Sequence, residues 1–160
     1  MKYLFSIILM ISMISTVNAQ SEATADVEVS ADVIVQLETE IIQDLNFGLV
    51  AQGSTENVDP ESDGRSAKVK VTGSGSTDIE VSVPTTVTLT GAGDDINVDI
   101  SQPRSNTTDD QSGSTLETND FTLSGNNEYF IWIGGEVTIP STQTVDTYTG
   151  TLTVEMNYII

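Results

Sequence analysis

The chain has 160 residues, and its 24 acidic and 5 basic side chains give a net charge of −19 at pH 7. It contains neither cysteine nor histidine, which excludes Cys–His and Ser–His–Asp catalysis and zinc sites built on imidazole or thiolate. So acidic a chain repels nucleic acid and anionic lipid, and neither is expected as a partner. We expect a protein that is not an enzyme and has no cofactor.

The first residues resemble an export signal. Lys2 supplies a positive charge, Leu4 to Ile14 is apolar, and Val17-Asn18-Ala19 supplies the small residues of a cleavage site. This pattern predicts a signal peptide over residues 1–19, removed after Ala19. The apolar run is shorter than the roughly 20 residues that a membrane-spanning helix needs. We therefore predict a secreted protein whose mature form has no membrane span.

The next segment alternates between apolar and polar residues for an unusual length. From Ala23 to Leu37 the odd positions are mostly Ala, Val or Leu, while most of the even positions are polar or acidic. A strand usually has about 5–6 residues, so this stretch is better interpreted as two strand-length units. We predict an N-terminal extension or donor-like strand over residues 20–32 and a sandwich domain over residues 33–160, with Val33–Leu37 as its first strand.

Shorter stretches of two-residue alternation follow, separated by glycine-rich turns. Pro84 interrupts one of them, which favours a sheet edge or a bend. Residues 102–113 are polar and predict a mobile loop, and Gly134-Gly135 predicts a bulge. No window has helical spacing, so the class is all-β, with a β-sandwich of about seven to nine strands. The predicted strands are centred on Ala67–Val71, Ile79–Val83, Val87–Leu89, Ile96–Ile100, Tyr129–Ile139 and Tyr148–Tyr158.

Several segments together, in this order and spacing, resemble the bacterial domain-of-unknown-function family 4402. These segments are Leu45–Val50, Val71–Gly73, Val81–Pro84, Val87–Thr90, Ile133–Pro140 and Tyr148–Val154. The family is similar to spore-coat-protein-U-like domains and common-pilus-type fimbrial subunits, and the resemblance extends from about Ala25 to Tyr158 by the strand pattern. It implies an immunoglobulin-like, pilin-like sandwich without catalytic residues, located in the periplasm or at the bacterial cell surface.

The resemblance also implies partners. They are related subunits, including further copies of this chain, and a periplasmic chaperone that would pair with the alternating C-terminal strand. The chain departs from fimbrial subunits in two ways. It lacks the disulfide that they often carry, and Tyr158 is followed by two residues instead of standing next to last.

The long alternation is the first candidate site. In strand donation, an extended segment of one subunit completes the sheet of the next, and every second side chain fills a groove. Ala25, Val27, Val29 and Ala31 are the predicted partner-binding residues of such a donor. The alternative is one long strand that crosses between both sheets of a self-complete monomer.

Two further groups are weaker candidates. Asp59, Glu61 and Asp63 have the spacing that begins a calcium loop, but Lys70 stands where the loop needs a glutamate, so an acidic turn without a metal is favoured. Phe130 and Trp132 have the parity opposite to that of the predicted core residues in their segment. On the outer face they could contact a sugar ring or a partner subunit, unless a loop covers them or the register slips.

These observations favour an exported structural protein, a fimbrial or coat-like surface subunit that assembles by strand donation. The alternative is a monomeric adhesin-like module that binds glycan or calcium.

Overall fold

The computed structural model describes residues 24–160. The chain separates into two units, residues 1–32 and 33–160. Residues 24–32 form no strand, and all of their side chains are exposed. The predicted signal peptide and its cleavage site lie outside the described residues.

The unit of residues 33–160 consists of twelve β-strands without a helix, which confirms the all-β prediction. The strands are more numerous than predicted because many are short, and one apolar segment is broken at Gly134 into two. Within residues 24–160 no helix is long and apolar enough to span a membrane. The strands are β1 Glu38–Gln43, β2 Thr55–Val58, β3 Ala67–Thr72, β4 Ile79–Ser82, β5 Thr86–Leu89, β6 Ile96–Ile100, β7 Arg104–Asn106, β8 Thr115–Leu116, β9 Asp120–Leu123, β10 Glu128–Ile133, β11 Gly135–Thr138 and β12 Glu155–Tyr158.

The strands form three antiparallel sheets. A five-stranded sheet has the order β1-β3-β10-β7-β8, a four-stranded sheet β2-β11-β6-β5, and a three-stranded sheet β12-β4-β9. β10 lies in the first sheet and β11 in the second, and only Gly134 separates them. This one segment therefore joins the five-stranded and the four-stranded sheet, which lie in the two layers of the sandwich.

The core forms where alternate side chains of the layers meet. In β3, Val69 and Val71 are buried while Lys68 and Lys70 point outward, and β10 places Tyr129, Ile131 and Ile133 against the same core. Val98 and Val137 contribute to it from the four-stranded sheet. Complete burial of each such side chain is worth about 1.5–3 kcal/mol, so these rows account for the stability of the sandwich.

The C-terminal segment changes sheets along its length. Thr149 exchanges two backbone hydrogen bonds with Thr90, at the end of β5, and β12 then pairs with β4. Both pairings are antiparallel, so the C-terminal segment runs beside β4 and β5 in turn. Pro84 lies in the short connection between these two strands. The predicted bend at Pro84 therefore lies where the chain changes sheets.

The strand predictions succeed in the middle of the chain. The segments now seen as β3, β4, β5 and β6 all appear near their expected positions. The prediction of the first strand was wrong, because the first strand of the structure begins at Glu38 and Val33–Leu37 forms no strand. The predicted loop of residues 102–113 contains β7, and only Glu155–Tyr158 of the predicted last strand forms a ladder.

Gly134 can be tested by adding a single methyl group. A Cβ there would overlap the carbonyl oxygen of Val58 and lie 2.9 Å from the nitrogen of Pro60. Gly134→Ala should therefore lower the free energy of unfolding by about 2–3 kcal/mol in a urea titration. Gly64→Ala is the matched control, because a Cβ at Gly64 meets nothing within 4 Å. Equal stability of the two variants would contradict the close approach at Gly134.

Candidate functional site

β1 is an edge strand whose core-facing side is uncovered. It pairs with β3 alone, and Ile41 lies directly opposite Val69. Directly opposite residues of an antiparallel pair point to the same face, so Ile41 faces the core side with Val69. Val69 is nevertheless buried while Ile41 is 72% exposed. The opposite layer of the sandwich therefore does not extend over β1.

β12 is the corresponding edge of the three-stranded sheet. It pairs with β4 alone, placing Met156 opposite Val81 and Tyr158 opposite Ile79. Val81 and Ile79 are buried, whereas Met156 and Tyr158 are only half-buried although they pack against the same core. The half-buried row continues toward the preceding residues with Leu152 and Val154.

Tyr158 connects these two edges at one end. Its hydroxyl accepts a hydrogen bond from the backbone nitrogen of Ser74 at 2.6 Å and donates one to the carbonyl oxygen of Val35 at 2.8 Å. Gly73 is buried beside them, and a Cβ there would lie 2.7 Å from the Tyr158 hydroxyl and 3.3 Å from Leu37. The chain before β1 and the end of β12 therefore lie on the same side of the sandwich. We call the surface between the free edges of β1 and β12 the open side.

The connection from β1 to β2 adds further half-buried apolar residues. Leu45, Phe47 and Val50 pack against the core without being fully buried. Gly48 follows Phe47 with a positive φ of 71°, a conformation in which glycine is favoured. The chain bends directly afterwards, at Leu49.

The open side has two properties that would allow it to bind an extended strand: free strand edges and incompletely covered apolar side chains. Within residues 24–160, β1 and β12 each have a strand partner on one side only, which leaves backbone groups of their outer edges available. Beside these edges, alternate apolar side chains are incompletely covered. A strand added there would form backbone hydrogen bonds and bury every second side chain.

The predicted donor residues lie in the other unit. Val27 and Val29 are 81% and 89% exposed, and Ala25 and Ala31 are exposed too. Their alternating apolar side chains therefore bury almost no surface in this structure. The sequence pattern predicted these donor-like residues but not the open side, although the alternation of the C-terminal segment was a signal for it.

Phe130 and Trp132 lie on the predicted outer face, and other side chains cover them there, which was the alternative to an exposed contact surface. The register places them opposite Lys70 and Lys68, on the outer face of the five-stranded sheet. Their exposures are only 7% and 2%. The Lys68 ammonium lies 5.3 Å from the centre of the Phe130 ring and 5.9 Å from that of Trp132. Cation–π contacts and the lysine stems thus cover the aromatic rings.

Two loops hold this cover in place. Lys68 forms an ion pair with Asp109, and Arg104 forms one with Glu61. The side-chain amide of Gln111 donates to the carbonyl oxygens of Pro60 and Asp63 at 3.1 Å each. Residues 59–66 and 106–114 are therefore fastened to each other and to the outer face that contains Trp132.

The three weak metal candidates do not converge. Asp63 accepts hydrogen bonds from Arg65, which hold the pKa of its carboxyl below the usual value. Glu61 pairs with Arg104, and Asp59 accepts a hydrogen bond from the backbone nitrogen of Glu61 at 2.9 Å. Within residues 24–160 no group of three or more acidic side chains is placed to hold a metal ion.

One known sequence family matches most of the chain. Residues 50–158 match the sequence family described as Domain of unknown function (DUF4402). The chain belongs to this family. The matched range of the DUF4402 domain includes every strand from β2 to β12 but not β1 or the donor-like segment. Comparison with curated proteins and with solved structures finds no match.

The hydroxyl of Tyr158 should hold residues 33–37 at the open side. Tyr158→Phe removes both of its hydrogen bonds and should cost about 1–2 kcal/mol of stability. The same variant should speed amide hydrogen exchange at Val35–Leu37. Tyr148→Phe is the control, because its hydroxyl bonds Gln143 and Thr144 instead. Unchanged exchange at residues 35–37 in Tyr158→Phe would contradict this role.

Proposed function

We propose that this chain is an exported structural protein without enzymatic activity, which assembles into a surface fibre or coat by strand donation. Residues 25–31 of one copy would complete the open side of the next copy. The observation that carries the proposal is the exposure of Ile41. It lies on the core face of the sheet and is 72% exposed, beside an edge strand that lacks a second partner.

The length and parity of the donor segment fit this role. Its seven residues would extend over about 23 Å at the rise of a strand. The ten residues of the C-terminal segment from Thr149 to Tyr158 would extend over about 33 Å at the same rise, so the donor could cover about two thirds of this segment, of which only one side is paired with β5 and β4. Val27 and Val29 would be buried in the centre of the added strand, with the smaller Ala25 and Ala31 at its ends. Burial of the two valines would contribute about 3–6 kcal/mol before the ordering of the strand is subtracted.

Donation to another copy is favoured over self-completion. Val35 is fixed at one end of the open side by Tyr158. Insertion of residues 25–31 into the same copy would need a chain reversal between Ala31 and Val35. The intervening Asp32-Val33-Ile34 contains neither glycine nor proline, and Val and Ile are poor turn residues. Because this linker disfavours a turn, the donor would bind a second copy instead, and repetition of this contact would give an open-ended polymer.

The predicted signal peptide supports export, and the absence of His and Cys supports a role other than catalysis. A periplasmic chaperone is the natural partner before assembly, because an uncovered apolar edge strand is prone to aggregation. The adhesin-like alternative loses the support of its two candidate sites, since the aromatic pair is buried and the three carboxylates are separately engaged.

The test compares substitutions on the inward face of the donor strand with substitutions on its outward side. In the chain from Gln20 onward, Val27→Gln combined with Val29→Gln replaces the two side chains that would be buried. Thr24→Gln combined with Ser30→Gln is the matched control, because it changes two outward positions, one directly before the donor strand and one within it. Wild type and control should form higher oligomers in light scattering, and the valine variant should remain monomeric because each buried amide without a partner costs about 1–3 kcal/mol.

Thermal melting of all three proteins should give the same midpoint for the monomer, since Val27 and Val29 are exposed in it. A wild-type protein that stays monomeric at physiological salt, or oligomers of equal size in all three proteins, would overturn the proposed function.

A further inference from the structure

The following inference rests on the proposed function. A donated strand would bring carboxylates as well as valines to the open side. Asp26, Glu28 and Asp32 occupy the even positions of the alternation, so they point outward when the odd positions point into the sandwich. The donor's outward face is therefore negative and carries no basic side chain.

The face beside the β12 edge is negative too. The strand register places Glu155 opposite Ser82, and Ser82 opposite Asp120. In the neighbouring row, Glu80 lies opposite Asn157. These side chains alternate with the core-facing Val81 and Met156, so they share the outward face that a donor strand would extend.

The β1 edge offers no free positive charge either. Glu38 and Glu40 face outward, opposite Thr72 and Lys70. Lys70 forms an ion pair with Glu128 at 2.6 Å, and this contact raises the pKa of Lys70. Within residues 24–160 the basic side chains are those of Arg65, Lys68, Lys70 and Arg104, and each has an acidic partner.

Like charges on adjacent strands oppose pairing, and the opposition depends on salt. The screening length is about 30 Å in 0.01 M salt and about 8 Å at 0.15 M. Two copies that each have a net charge near −19 also repel before they touch. At low ionic strength both effects oppose the approach of the donor, whereas the apolar burial that drives its insertion is unaffected.

We propose that ionic strength controls strand donation between copies of this chain, through repulsion between the carboxylates of the donor and those beside the β12 edge. Assembly is suppressed in dilute salt and proceeds at physiological salt. The proposed effect is screening by any salt and not coordination of one particular ion.

The test compares assembly rates of the chain from Gln20 onward, by light scattering, in roughly 10 mM and 150 mM NaCl. The wild-type rate should rise about tenfold or more with salt. Asp26→Asn, Glu28→Gln and Glu155→Gln together should assemble in dilute salt nearly as fast as wild type at 150 mM. Asp95→Asn, Asp99→Asn and Glu136→Gln remove the same charge elsewhere and should retain most of the salt dependence.

Three outcomes would overturn the inference while leaving strand donation intact. They are assembly that needs Val27 and Val29 but is independent of salt, equal responses of the two triple variants, and acceleration by CaCl2 well beyond that of NaCl at equal ionic strength. A different result would overturn strand donation itself: no assembly at any salt concentration, or assembly that the valine variant does not impair.

Discussion

The architecture depends on one close approach of two backbones. At Gly134 the chain passes from the five-stranded to the four-stranded sheet with no space for a side chain, because the carbonyl of Val58 and the ring of Pro60 lie against it. This crossing ties the two sheets together through a strand that has a neighbour on each side in both of them. β1 and β12 remain edge strands, each paired with a neighbour on one side only.

Period-two alternation predicted the strands that have a buried and an exposed face, as in β3 and β6, because there the sequence pattern and the environment agree. It failed at β1, where Glu38–Gln43 has no regular alternation and every side chain is exposed. Pairing with β3 forms that strand, and a single sequence contains no information on which neighbour will be available. The same limit explains why Val33–Leu37, with the better pattern, forms no strand.

The candidate site was predictable on one half only. The donor-like residues could be recognised because their alternation is longer than one strand requires. The open side is formed by distant segments that meet through Tyr158 and Val35, and no local pattern encodes such a contact. For Phe130 and Trp132, parity gave the correct face, but their burial depends on Lys68 and on Asp109 from a remote loop.

In a fibre of donated strands, the hydrogen bonds between β1 and β3 would carry the tension along the fibre. Donor and β1 belong to one continuous chain, so tension along the fibre would pull on β1 in the direction of its own axis. The hydrogen bonds that join β1 to β3 are perpendicular to that axis and would be loaded together in shear, not opened one after another. Resistance to stretching would then reside in the pairing of Glu38–Ile41 with β3, ahead of the irregularity at Gln43.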